Sequence, residues 1–89
     1  MEIRIEPHTL IQALKRGVSA DEIREVLRDG IDSPAKHGRN VRSLVYEFGG
    51  QWKGRRYAQK RVEVIYTVEN CVMITVTVYC YYGDWRVQP

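Results

Sequence analysis

The densest chemistry in this 89-residue chain lies between Trp52 and Arg61. Two aromatics, Trp52 and Tyr57, are interleaved there with Lys53, Arg55, Arg56, Lys60 and Arg61. Rings that stack on bases, set beside cations that contact phosphates, are the combination used by single-stranded RNA binders. Tyr79 and Tyr81 extend such a surface if a strand carries them opposite Arg61. In the competing reading, Trp52 and Tyr57 pin the glycine-rich segment 49–57 to the core and the charges solvate it. His8 stands at an expected helix start. The positive end of the helix dipole favours a neutral imidazole there, which could accept a proton in RNA cleavage. The alternative for His8 is a capping or surface histidine. Other chemistries find no support. His8, His37, Cys71 and Cys80 show no paired spacing of the CxxC or HxxxH kind, so no metal is expected. No Ser or Cys is paired with a positioned His and acid. Gly49-Gly50 precedes no helix and is not a phosphate loop, and no cofactor is implied.

The charge is segregated. Residues 36–61 carry eight basic side chains against the single acid Glu47, a net +7, while residues 1–35 and 62–89 are each at −2, within an overall +3. A basic middle between acidic flanks attracts polyanions more sharply than the net charge implies. A solvated basic surface is the plain alternative. No stretch of about 18 apolar residues is present, so no transmembrane helix is expected. The N-terminus lacks a basic-then-apolar run, which makes the cytoplasm the expected compartment. Cys71 and Cys80 lie along one expected strand, about 30 Å apart at about 3.3 Å per residue, beyond disulfide reach.

The elements that must position these residues are legible from periodicity. Residues 61–82 alternate as a long β-hairpin. A three-residue loop, Glu69-Asn70-Cys71, sets Val68 against Val72, Tyr66 against Ile74, Val64 against Val76 and Val62 against Val78. One face is then apolar, and the other carries Arg61, Glu63, Thr67, Thr75, Thr77, Tyr79 and Tyr81. Residues 2–5 form a short edge strand. Pro7 and Gly17 bracket a helix whose apolar face is Leu10, Ile11 and Leu14. Ser19 and Glu22 make a capping box, with Val18 and Ile23 as its hydrophobic staple, and Gly30 ends that second helix. Residues 31–40 read as a loop, 42–48 as a third strand and 49–57 as a second loop. The fold expected is a single α+β domain over 1–89. Two N-terminal helices pack on one face of a twisted antiparallel sheet of three to four strands. Whether strand 42–48 pairs beside 61–68 or beside 72–82 is open.

His8 and the run Arg16-Gly17-Val18-Ser19 carry a resemblance. They resemble a bacterial family of unknown function with the pattern His-Ala-x-x-Arg-Met-x-x-Arg-Gly-(Ile/Val)-Ser, itself distantly similar to the RelE-like and BrnT-like toxins of toxin–antitoxin modules. Thr77-Val78-Tyr79 resembles the family's closing strand. The chain departs from the pattern at Thr9, Gln12 and Ala13, and Gln12 replaces an arginine. The resemblance implies a RelE-like domain that binds RNA and, as a toxin, cleaves mRNA by stabilising a charged phosphorane with Arg, Lys and Tyr. On that reading His8, Arg16 and Tyr79 are the catalytic candidates. Lys53, Arg55, Arg56, Tyr57, Lys60, Arg61 and Tyr81 bind RNA, and an antitoxin protein is the partner. The alternative is a non-enzymatic protein-interaction domain, which the missing arginine favours.

Overall fold

The computed structural model describes residues 1–34 and 37–85; Lys36, which opens the basic segment, and Arg86 lie outside them. The chain is α+β. In order, it runs β1 (Glu2–Arg4), α1 (Pro7–Arg16), α2 (Ala20–Asp29), β2 (Ile31–Ser33), β3 (Asn40–Trp52), β4 (Arg55–Glu69) and β5 (Val72–Gly83). The helix ends follow local chemistry. Pro7 opens α1, and Gly17 closes it in the left-handed region at φ 77°. In α2 the Glu22 amide donates to the Ser19 hydroxyl at 3.1 Å, and the Ser19 amide donates to the Glu22 carboxylate at 2.9 Å. This closes the capping box and satisfies two helix-end donors at once. Gly30 serves a different need. Its φ is −71°, and a side chain there would collide with the carbonyl oxygens of Val26 and Ser43.

The sheet has five strands in the order β1-β5-β4-β3-β2, more than the three to four expected, and it is mixed: β1 runs parallel to β5, and every other pair is antiparallel. β3 pairs beside β4. Part of the expected loop at 31–40 is β2, which pairs with Val41–Ser43. The loop expected over 49–57 contracts to a two-residue turn, because β3 continues to Trp52 and β4 begins at Arg55. Lys53 and Gly54 make that turn with φ of 51° and 81°. Positive φ at both central positions matches the turn to the twist of the strands it joins.

The β4–β5 register also differs from the expected one. The turn is Asn70-Cys71, with φ of 51° and 62°, and the last pair is Glu69 against Val72. Uninterrupted, that turn would oppose Val64 to Thr77 and mix apolar with polar faces. A bulge corrects it. The pairing shifts by one residue between Ile65 and Tyr66, so Val64 faces Val78 and Val62 faces Cys80, while Tyr66 faces Thr75. Thr75 is therefore buried rather than on the polar face. Thr67 faces Ile74 across the strands, so Ile74 stands on the side expected to be polar.

The core lies between α2 and the sheet. Ile23, Val26 and Leu27 are fully buried against a floor that includes Val62, Val64 and Val78. α1 is set differently from expectation. Its buried residues are Thr9 and Ala13, and Leu10, Ile11 and Leu14 are exposed. The physical reason is what α1 packs against. β1 pairs only with Val72–Ile74, which leaves the rest of that β5 edge to α1. His8 Nε2 donates to the Val76 carbonyl at 2.8 Å, and Arg16 donates to the Val78 carbonyl at 2.5 Å. Thr75 donates to Thr9 at 3.0 Å, and Thr77 donates to Gln12 at 2.5 Å. A strand edge needs polar partners, not hydrocarbon, so the polar side of α1 faces inward.

Candidate nucleic-acid interface

Several residues of the basic segment are used by the fold. Lys60 is buried and donates to the Gly17 carbonyl at 2.8 Å while pairing with Glu22 at 2.9 Å. It joins the C-terminus of α1 to the capping box of α2, so it lies away from any RNA surface. Arg42 donates to the Leu27 carbonyl at the end of α2 and pairs with Asp32 at 2.8 Å. Arg61 faces outward beside Tyr81 and pairs with Glu63 at 3.2 Å. Lys53, Arg55 and Arg56 are exposed around the β3–β4 turn, with Arg56 donating to the Gly49 carbonyl at 3.1 Å.

Trp52 and Tyr57 serve the turn's attachment. Trp52 stacks on Tyr82, with centroids 4.7 Å apart and planes 14° apart. Phe48 meets the same ring edge-on at 5.1 Å, and Tyr57 lies 5.7 Å from it. Tyr82 donates to the Arg16 carbonyl at 2.8 Å. Burial raises its phenol above the ordinary tyrosine value, which keeps the donor in place. Gly17 is needed here for room as well as for its φ, since a Cβ would run into the Tyr82 hydroxyl and the Trp52 ring. The hairpin tip is thereby held against the end of α1 by rings worth about 0.5–1.5 kcal/mol per pair beyond their buried area.

That attachment builds a groove of about 170 Å³ at the end of the β5 edge, lined by Lys15, Arg16, Trp52, Lys53, Tyr79 and Tyr81 among others. Arg16 lies 5.0 Å from the centroid of the Tyr79 ring, and Lys53 lies 5.9 Å from that of Trp52. Tyr79 and Tyr81 stand side by side, 6.4 Å apart and 28° from parallel. They are 37% and 47% exposed, so each offers a ring face or edge to solvent. Among the described residues no carboxylate lines this groove. Lys15 is a cation of the groove that sequence reasoning did not single out. It lies in the last turn of α1, and only the docking of the β3–β4 turn against that helix end brings it to the groove.

The structure thus brings together Arg16, Tyr79, Tyr81 and Lys53, with Arg55 and Arg56 following on the adjoining strand. It does not bring His8 to them: His8 stands at the opposite end of α1 from Arg16. Its Nε2 hydrogen is committed to Val76, which leaves only Nδ1 to accept a proton in the neutral ring.

A hollow of about 410 Å³ holds Arg55, Arg56 and Tyr57 beside Asp84. Two further hollows hold less chemistry. One of about 460 Å³ is lined by apolar side chains that include Ile3, Leu27, Val68 and Met73. Its two cations, Arg28 and Arg42, are paired with Asp29 and Asp32. The other, of about 330 Å³, includes His37, Arg39 and the Arg61–Glu63 pair. Among the described residues no group of three or more His, Cys, Asp or Glu is placed to hold a metal ion, and no helix is long and apolar enough to cross a membrane. Comparison with models of known families, with characterised proteins and with solved structures gives no match for this chain.

Proposed function

We propose that this chain is a single-stranded RNA-binding domain whose contact surface is the Lys15–Arg16–Lys53 groove with the Tyr79–Tyr81 platform. The observation that carries this reading is one of composition at a single place. Three cations and four aromatic side chains line one groove without a carboxylate, while Arg55 and Arg56, at the start of β4, line a separate hollow with Tyr57 and Asp84. Stacking on a tyrosine is tolerant of base identity, and the surrounding cations track the phosphates. The two lysines set it apart from a protein-docking surface, whose core is enriched in Tyr, Trp and Arg but depleted in Lys.

The RelE-like toxin reading adds a reaction to this binding. In it, Arg16 and Tyr79 stabilise the charge that develops on phosphorus during cleavage. An acidic antitoxin segment would then compete with RNA for the same groove. The arrangement supports binding ahead of cleavage, because His8 is remote from the groove and Gln12 stands where the family pattern has an arginine.

The test is direct binding of a labelled single-stranded RNA to the purified chain. Lys53→Glu with Arg55→Glu should abolish binding at moderate salt, since reversing two charges removes phosphate contacts and adds repulsion. With about four phosphates neutralised, log affinity should fall against log salt with a slope of about −3. Binding unchanged by the double reversal would remove the proposal. Induction in a bacterial host separates the toxin extension. Growth arrest with fragmented mRNA, lost on Arg16→Ala, supports it, and normal growth at good expression leaves the binding reading alone.

A further inference from the structure

The hollow of about 330 Å³ lies on the face of the sheet turned away from the helices. Val62 and Val64 point into the core, so Arg61, Glu63 and Ile65, which alternate with them, point the other way. On one side Ile65 is opposed by Val41 of β3, and Val41 by Ser33 of β2. On the other side Glu63 is opposed by Tyr79 and Arg61 by Tyr81. Opposed side chains on neighbouring strands stand about 4.5–5.5 Å apart at Cβ. The hollow therefore adjoins the tyrosine platform, and the Arg61–Glu63 pair is the wall between them. We infer that this hollow takes a cytosine base of a bound RNA strand. The inference rests on the single-stranded RNA reading and adds a base preference to it.

The lining supplies both halves of base recognition. Pro34, Val41 and Ile65 give an apolar surface for the flat of a base, and Arg61 and Glu63 give its edge hydrogen-bond partners. A guanidinium has only donors and a carboxylate only acceptors. One terminal nitrogen of Arg61 donates to Glu63 Oε2 at 3.2 Å, which leaves Oε1 and the other guanidinium N–H groups unused by that pair. Arg61 is also the more exposed partner, at 36% against 19%, so the pair offers more donors than acceptors. One acceptor beside two adjacent donors is the complement of the cytosine edge, where N4–H donates and N3 and O2 accept. Uracil reverses two of those three groups and would set its 4-oxygen against the carboxylate. Guanine asks for two acceptors, and adenine uses one donor fewer. The carboxylate does not repel the strand, because Arg61 neutralises it. Arg39, which also lines the hollow, has no ion-pair partner among the described residues and is placed to meet a phosphate.

Fluorescence anisotropy with labelled oligocytidine and oligouridine of equal length tests it, at one fixed salt concentration so that the phosphate contribution is common to both. The parent should bind oligocytidine about tenfold more tightly. Glu63→Gln offers an amide N–H to the 4-oxygen of uracil, so it should raise the affinity for oligouridine and bring the ratio to about one. Arg61→Lys keeps the charge but loses the adjacent donors, and it should lower the ratio through weaker binding of oligocytidine. It also repeats the test should Glu63→Gln fail to fold. Equal affinity of the parent for the two strands would overturn the base preference and leave RNA binding in place. A cytosine preference that persists in both variants would also overturn it, by placing the readout elsewhere. Binding of neither strand would remove the RNA reading and this inference with it.

Discussion

At the residue scale, similar side chains have divergent fates. Lys60 and Arg55 are five positions apart in one basic segment, yet Lys60 is buried against Gly17 and Glu22 while Arg55 is exposed on the hairpin tip. Nothing local distinguishes them, because the difference depends on which end of β4 lies under the helix corner. Lys60→Ala should destabilise the protein by about 3 kcal/mol, since it leaves Glu22 partly buried without its cation. Arg55→Ala should stay within about 0.5 kcal/mol of the parent, as surface changes usually do. Chemical denaturation of the two variants checks both. The phenols make a second prediction. Burial raises Tyr82 and Tyr46 above the ordinary tyrosine value, and for Tyr46 the Glu25 carboxylate that accepts its proton at 2.6 Å adds to the shift. A raised native value means that the unfolded chain loses these protons first. Their contribution is complete below about pH 10 and is lost as pH climbs above it. The melting temperature should fall above that pH, and Tyr46→Phe or Tyr82→Phe should flatten the fall. An equally steep fall in both variants would contradict the assignment.

At the element scale, the legible parts were those with local causes. The starts and ends of both helices follow from Pro7, Gly17, the Ser19–Glu22 box and Gly30, all within a few residues of the boundary they set. The orientation of α1 was not legible in the same way. Leu10, Ile11 and Leu14 look like a core face until the neighbour is known to be a strand edge that takes polar partners. The hairpin register was hidden for a related reason. Alternation alone specifies a face, but the bulge that follows Ile65 lets the two halves of β5 alternate out of phase. The half that carries Val78 and Cys80 keeps the face expected of it, and the half that carries Met73 and Thr75 turns the opposite one to the core. The candidate groove was legible in its members Arg16, Lys53, Tyr79 and Tyr81, but Lys15 joins them only through tertiary docking. The turn itself offers a test. Cys71 holds a left-handed conformation at φ 62°, which costs a side-chain-bearing residue about 1–2 kcal/mol. Cys71→Gly should therefore stabilise the hairpin by about 1 kcal/mol, measured as an increase in the denaturant midpoint. A loss of stability would show that the turn is not strained.

At the scale of the whole molecule, the five-stranded sheet is covered by α2 on one side, sealed by α1 along part of one edge, and left with Arg61, Tyr79 and Tyr81 on its other side. The +7 segment is divided by this arrangement. Arg42 and Lys60 secure helix ends, Lys53 joins Lys15 and Arg16 at one corner, and Arg55 and Arg56 line a separate hollow with Asp84. The function proposed depends on that corner more than on the total charge. The most direct measurement is an NMR titration of the isotope-labelled chain with a short single-stranded RNA, following backbone amides residue by residue. The account predicts shifts concentrated at residues 15–17, 52–56 and 79–82, with residues 26–28 and 66–68 unmoved. Shifts centred elsewhere, or none at RNA concentrations well into the millimolar range, would contradict it.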